Sequence, residues 1–294
     1  MTKTLMGMLM LAVLTGCETV PRQVLPYVMD DGQGGTDLYL YDLEAGNSIA
    51  LLQTPLEVEA DPVVDFAGQR VAYIVNQTTT GQGVFTLRIL DLQTGTTEDA
   101  VQSFSDPLFS PAFSNDGNEL AYVVQRDGKL QIHIKDLIND SEPKTLGFGS
   151  NPSWRQDDRA IFYNARDTPD ALAGDLMVHD LKTGTNQSLA LRGNGFTNLP
   201  GGTSIVYTSL SYSRRNAAVW LIDANSRQQR LSSPGKTHRD SDPVHINGTK
   251  FVAFTRTSVD TNTSSIYVVQ RSTTNPVETR LFDAEVSVHT KGRD

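Results

Sequence analysis

One spacing recurs along this chain and limits what it can fold into more than any other feature. A Pro stands ten residues before a small or aromatic residue at Pro62/Ala72, Pro111/Ala121, Pro152/Phe162 and Pro243/Ala253, and Phe196/Val206 keeps the spacing without the Pro. A second marker, an Asp closing a run of alternating residues, falls at Asp42, Asp91, Asp136, Asp180 and Asp223, with Arg271 as a degenerate sixth; the steps are 49, 45, 44, 43 and 48 residues. The stretch 110–140 shows the unit most completely. A first strand (111–114) meets the turn Asn115-Asp116-Gly117, a second strand ends in Ala121-Tyr122, and an alternating third strand is closed by Asp136-Leu137. A period of roughly 40–50 residues with several short strands per unit is the pattern of a β-propeller. One such unit cannot bury both faces of its sheet alone, so neighbours must stack. Six markers predict an all-β fold, a six-bladed β-propeller.

The chain ends close to where its repeats begin. Residues 24–29, 38–41 and 49–52 read as blade one without its first strand. Residues 286–292 (VSVHTKG) align with residues 62–68 (PVVDFAG). The spacing therefore predicts residues 286–289 as the innermost strand of blade one, so that N- and C-terminal strands close one blade and no sheet edge is left open. Blades two to six are expected at 61–101, 110–146, 151–191, 196–231 and 242–282. Their third strands are expected at 85–90, 130–135, 175–179, 217–222 and 265–270.

Residues 1–16 stand outside the repeats. Lys3 is followed by an apolar run, 5–13, too short to span a bilayer and fitting a signal peptide. Leu14-Thr15-Gly16-Cys17 resembles a bacterial lipobox, which implies a lipidated Cys17 with cleavage just before it. Cys17 is the single cysteine, so the fold has no internal disulfide. Glu18 follows it, where Asp would favour inner-membrane retention in enterobacterial lipoproteins, so a lipid anchor in the outer membrane facing the periplasm is expected. Residues 17–22 then form a short tether and 23–294 the propeller. The net charge of −9 becomes −10 once Lys3 is removed, which argues against a nucleic-acid partner. No later apolar run is long enough for a transmembrane helix.

The row of acidic residues has a plain explanation. Each Asp precedes a tight turn, such as Gln93-Thr94-Gly95 or Lys182-Thr183-Gly184, where a carboxylate can accept backbone N–H groups and Gly supplies positive φ. Phe113 and Trp154 share one repeat position, two after the Pro, and are expected to pack between blades. The sequence has no GxSxG, no HExxH, no phosphate loop and no second Cys. His133 and His179 lie on third strands, away from the channel. His245 and His289 fall on innermost strands of adjacent blades but differ by one register position, which points them to opposite faces. No enzyme activity, metal or cofactor is expected.

SPAFSNDGNELAY (110–122), NPSWRQDDRAIFY (151–163) and the DLxTG strand endings resemble the propeller repeats of the TolB family. That resemblance covers 24–294. It implies a periplasmic propeller that binds partner proteins, as family members bind the peptidoglycan-associated lipoprotein. The family carries an α/β domain before its propeller, whereas here five residues separate Cys17 from the repeats. What carries over is a TolB-like lipoprotein, a monomeric ring serving as a protein-binding scaffold; no partner-binding residue transfers by position. The alternative is a carbohydrate-binding or polysaccharide-degrading propeller.

The tether enters at the second strand of blade one, on the side of the short turns. Longer connections collect on the opposite side, where binding is expected. Charge is segregated there. Asp30, Asp31, Glu57, Glu59 and Asp61 belong to blades one and two; Arg166, Arg214, Arg215, Lys236, His238, Arg239 and Arg256 belong to blades four to six. These seven are the expected partner-binding residues, facing an acidic segment of an envelope protein.

Overall fold

The computed structural model describes residues 23–55, 57–77, 83–166, 168, 174–199, 204–209, 217–271, 276–282 and 286–287. Cys17, Arg214, Arg215 and His289 lie outside these. Among the described residues every regular element is a β-strand.

The strands form antiparallel meanders that follow the repeat. β1 (Val24–Asp30), β2 (Thr36–Asp42) and β3 (Asn47–Leu52) pair in order. β4 (Val58–Val64), β5 (Arg70–Gln77), β6 (Val84–Asp91) and β7 (Thr97–Ser103) make the next meander. It is joined to β2 by one parallel bridge, Thr36 to Val58. β8 (Leu108–Phe113), β9 (Glu119–Arg126), β10 (Lys129–Asp136) and β11 (Lys144–Phe148) repeat the pattern. β12 (Ser150–Trp154), β13 (Ala160–Asn164) and β14 (Gly174–Asp180) lead into β15 (Asn186–Asn198), then β16 (Ile205–Ser209), β17 (Ala218–Ile222) and β18 (Gln228–Arg230). β19 (His238–His245), β20 (Phe251–Ser258), β21 (Ser264–Gln270) and β22 (Glu278–Phe282) follow. Last, β23 (Val286–Ser287) returns to β1, with Val28 opposite Ser287 and Met29 opposite Val286.

Burial peaks at the second strand of a meander and falls toward the outer one. β5 and β9 are buried through their middle five residues, whereas β3, β7 and β11 are largely exposed. Second strands are therefore continuous apolar runs, VAYIV and LAYVV, and outer strands are polar. The core lies between meanders. Ile74, Leu87, Phe113 and Tyr122 join β5–β6 to β8–β9. Trp154, Ile161, Ala121 and Ile134 join the next pair, with the Trp154 Nε1–H donating to Ala112 O at 2.9 Å. Phe162, Leu176, Phe196 and Tyr207 form the seam after that, and Val206, Val219, Phe254 and Val269 the following one. Leu25 and Tyr27 of β1 pack with Ala253, Ile266 and Val268 of β20 and β21, so the last full meander lies against the first. Phe113 and Trp154 are thus packing residues, as their shared repeat position predicts.

The turn chemistry is as expected from the sequence. Asp42, Asp91, Asp136, Asp180 and Asp223 each accept two backbone N–H groups of the following turn through Oδ1, at 2.7 to 3.0 Å. Gly46, Gly95 and Gly184 sit at positive φ in these turns.

Two features depart from the sequence expectation. First strands begin before the Pro, not at it, and each breaks register: between Ala60 and Val63, Phe109 and Ala112, Ser150 and Ser153, Gly193 and Phe196, and Ser241 and Val244. Pro has no N–H to give the ladder, so a bulge accommodates it. The residue before it takes positive φ at Asp61, Ser110, Asn151 and Asp242, as does Gly195 before Phe196, which stands at the Pro position in the unit that lacks one. Also, no break separates the fourth and fifth units. β15 runs 13 residues, pairing with β14 through its first half and β16 through its second. Gly193 sits at the handover, where an added Cβ would lie 2.5 Å from Thr208 O.

Candidate functional site

First strands all run the same way, from the side of the longer connections to the side of the tight turns. Two cavities of about 160 Å³ lie along them, one toward each side. The loop-side cavity is lined by residues from five consecutive meanders, β4 through β19, and the turn-side cavity by the same five and β1, so both belong to one channel along the first strands.

The turn-side cavity is lined by Phe66, Phe113 and Trp154 and by Val24, Leu25 and Pro26 of β1. Gln23 O accepts from Leu43 N at 3.1 Å, which places the start of the described chain next to the Asp42 turn. His245 lines this cavity. Its Nε2–H donates to Thr249 O at 3.1 Å, and burial lowers its pKa, so it is neutral near pH 7. Polar latches link the turns around this side. The Arg70 guanidinium pairs with Asp65 at 3.0 Å, donates to Gly117 O at 2.7 Å and covers the Phe113 ring. Asp158 accepts from the backbone N–H groups of Asn115 and Asp116. Asn247 Nδ2 donates to Asp65 O at 3.3 Å, across 182 positions of sequence.

The loop-side cavity has a different lining. The left-handed positions Asp61, Ser110, Asn151, Gly195 and Asp242 ring it. Asp61 Oδ2 accepts from Ser110 N at 2.8 Å, and Ser110 Oγ donates to Asn151 Oδ1 at 3.4 Å. Arg166 lines the same space. Its burial lowers the guanidinium pKa, against the pull of the nearby Asp242 carboxylate.

The cations predicted for the loop face are not presented alike. Lys236 and Arg239 are exposed and His238 is half-buried, at the start of β19. Arg166 lies inside the channel mouth. Arg256 is engaged internally: it is bidentate to Asp240 at 2.7 and 2.9 Å and reaches Glu278 at 2.6 Å. The residues that sequence reading missed are the bulge residues. Their signal was present, a small or polar residue before each Pro.

On the acidic side, Glu57 pairs with Arg88 at 2.9 Å, but Glu59 is fully buried. Thr54 Oγ1 donates to its Oε1, while burial pushes its pKa up to about 7, outweighing that bond. A folded-state pKa above the unfolded one means the charged form destabilises. Stability is complete below the unfolded pKa and is lost as pH rises through about 7. Glu59→Gln is therefore expected to raise stability at pH 8, on the order of 2 kcal/mol, and to change it little at pH 5. Urea unfolding at the two pH values checks this.

The PD40 family, described as the TolB beta propeller domain, matches residues 12–289. The chain belongs to this family. TolB of the Tol-Pal system from Escherichia fergusonii is 39% identical over 79 residues, covering 27% of this chain but only 18% of that protein. Among solved structures, TolB from Acinetobacter baumannii superposes with a TM-score of 0.72 at 18% identity, over 90% of this chain and 65% of that one. A putative TolB from Agrobacterium tumefaciens gives 0.65 at 17% identity, over 89% of each chain. These structures show the fold, a TolB-like β-propeller. The chain thus spans less than two-thirds of the first of them and a small part of the curated relatives it matches.

Proposed function

We propose that this chain is a lipid-anchored envelope protein whose propeller is a protein-binding scaffold, not an enzyme. In this reading the blades number six and the ring closes through β23 in the first blade. The packing of β1 and β2 against β20 and β21 supports that closure, as does the β1–β23 pairing. The observation that carries the scaffold reading is the family match along almost the whole chain, with relatives named for the Tol-Pal system. The lipobox resemblance at Cys17 supplies the anchor, in the outer membrane and facing the periplasm. The described chain starts on the turn side, so the anchor holds that side toward the membrane and presents the loop side outward. There Lys236, His238 and Arg239, joined by Arg214 and Arg215, form the docking surface for an acidic segment of an envelope protein.

The test combines location and capture. Cys17→Ser is expected to move the protein from membranes to the soluble periplasmic fraction. Reversing Arg214, Arg215 and Arg239 to Glu is expected to abolish recovery of the crosslinked partner with an unchanged melting temperature, and added salt should weaken wild-type recovery. Recovery that survives the reversal but fails when the Lys182-Thr183-Gly184 turn is altered puts the binding face on the membrane side and ends this reading.

A further inference from the structure

The loop-side cavity is furnished beyond what a seam between blades requires. Five consecutive first strands bulge at the same level, and four of the five left-handed positions carry a polar side chain rather than Gly. That conformation is unfavourable for residues with a Cβ and is best tolerated by Asp and Asn. Bulges that re-aim side chains recur beside functional sites. A second observation is independent of this ring. Ser150, 2% exposed, lines the cavity, and its Oγ has no hydrogen-bond partner among the described residues. Directly across the strand pair, behind the cavity wall, Asn164 is 1% exposed and its Oδ1 also lacks a partner among the described residues, although its Nδ2 donates to Gly193 O at 2.9 Å. A buried hydroxyl left without a partner on the cavity wall calls for a polar occupant.

The lining limits what that occupant is. A cation meets the Arg166 guanidinium, and an anion meets the carboxylates of Asp61 and Asp242. A hydroxyl both donates and accepts, so it suits a wall where carboxylates, amides, a guanidinium and hydroxyls alternate. The rings of Pro111, Pro152, Pro243 and Phe196 give the apolar part of the wall. The space, about 160 Å³, holds one small ring and little more. We propose that the loop-side cavity binds a neutral, hydroxyl-rich ring, one monosaccharide unit in size. This goes beyond the docking surface above: Lys236, His238 and Arg239 do not line the cavity, so either reading can fail alone.

Titrating the full-length protein with glucose, galactose and N-acetylglucosamine, with glucosamine and glucuronate as charged controls, tests it by calorimetry or saturation-transfer NMR. At least one neutral sugar is expected to saturate and to bind more tightly than either control. Glycine adopts left-handed backbone without strain, so Asn151→Gly removes the side chain and keeps the bulge. It is expected to weaken binding at least about tenfold with an unchanged melting temperature. Asp242→Gly serves if that variant does not fold, with the same expectation. If solvent alone fills the cavity, no neutral sugar will saturate at tens of millimolar, and the proposal is overturned. Tighter binding of a charged control, or neutral binding unaffected by the glycine variants, overturns it as well.

Discussion

A chain lacking residues 286–294 is expected to lose its cooperative unfolding transition, or to melt more than about 10 °C below the full-length protein. The deletion removes β23, and with it the pairing at Val28–Ser287 and Met29–Val286. β1 then becomes a bare edge although it is buried through five of its seven residues. β23 also lies beside β21, the strand that carries Ile266 and Val268 of the cluster holding the last full meander to the first. A typical domain is stable by only about 5–15 kcal/mol. In the ring proposed above, opening one seam exposes two packed faces, and burial is worth roughly 25 cal/mol per Å², so the loss rivals the whole reserve. In a chain of this size each kcal/mol moves the midpoint by about 2–4 °C. Calorimetry on the two chains measures it. Equal melting temperatures would show that β23 does not hold the ring.

The pairing of the C-terminal strand with β1 was legible because residues 286–292 repeat an internal pattern: VSVHTKG lies over PVVDFAG. The same holds for the turns. An Asp, two or three polar residues and a Gly encode their own hydrogen bonds locally, so Asp91 and Asp180 could be assigned from spacing alone. Strand bounds came within one or two residues for third strands, where alternation is clean. The first strand expected at 111–114 is found at Leu108–Phe113, so it starts three residues ahead of Pro111. A Pro inside a strand is tolerated only at a bulge or an edge, and the neighbouring Asp, Ser, Asn or Gly is the residue that completes the bulge. The two facts together would have placed the strand start earlier and the polar ring on the channel.

What stayed hidden depends on depth rather than pattern. Glu57 and Glu59 are two residues apart and look equivalent in LEVEA. One pairs with Arg88 and the other is sealed beneath Thr54 and Thr36, whose Oγ1 donates to Glu59 O at 2.6 Å. Arg166 and Arg239 likewise look alike as loop cations, but one faces into the channel mouth and the other outward. Sequence spacing gives the side of the ring a residue occupies. It does not give the distance of that residue from the axis.

Arg256 is the clearest case, and its removal carries the second large effect. Its guanidinium sits between Asp240 and Glu278 and over the Tyr267 ring, with Cζ 4.5 Å from the centroid. The Asp240 side chain is 0% exposed, against 10% for Arg256. Burial holds the Asp240 pKa above the usual carboxylate range, even though the bonds from Arg256 pull it down. For Arg256 burial works the other way, and hydrogen bonds to Asp240 and Glu278 overcome it and raise its pKa. Glu278 Oε1 in turn accepts from Ser233 N at 2.5 Å, so the same hub pins β22 to the segment ahead of β19. Arg256→Met keeps an apolar stem in the aromatic pocket but strands the carboxylate. Breaking a buried pair from one side costs about 3–5 kcal/mol, a fall in melting temperature of roughly 10 °C or more. The sign with pH follows from Asp240. Its folded pKa lies above the unfolded one and rises further without Arg256, so stability of the variant is highest below the unfolded pKa and declines as pH rises through the folded value. Urea midpoints at pH 5 and pH 8 should therefore separate more widely for Arg256→Met than for the parent chain. Adding Asp240→Asn to Arg256→Met removes the stranded charge and should restore part of the loss at pH 8 and little at pH 5. A single variant that loses the same stability at both pH values, with no recovery on adding Asp240→Asn, would mean that packing over Tyr267, not the buried charge, is what Arg256 supplies.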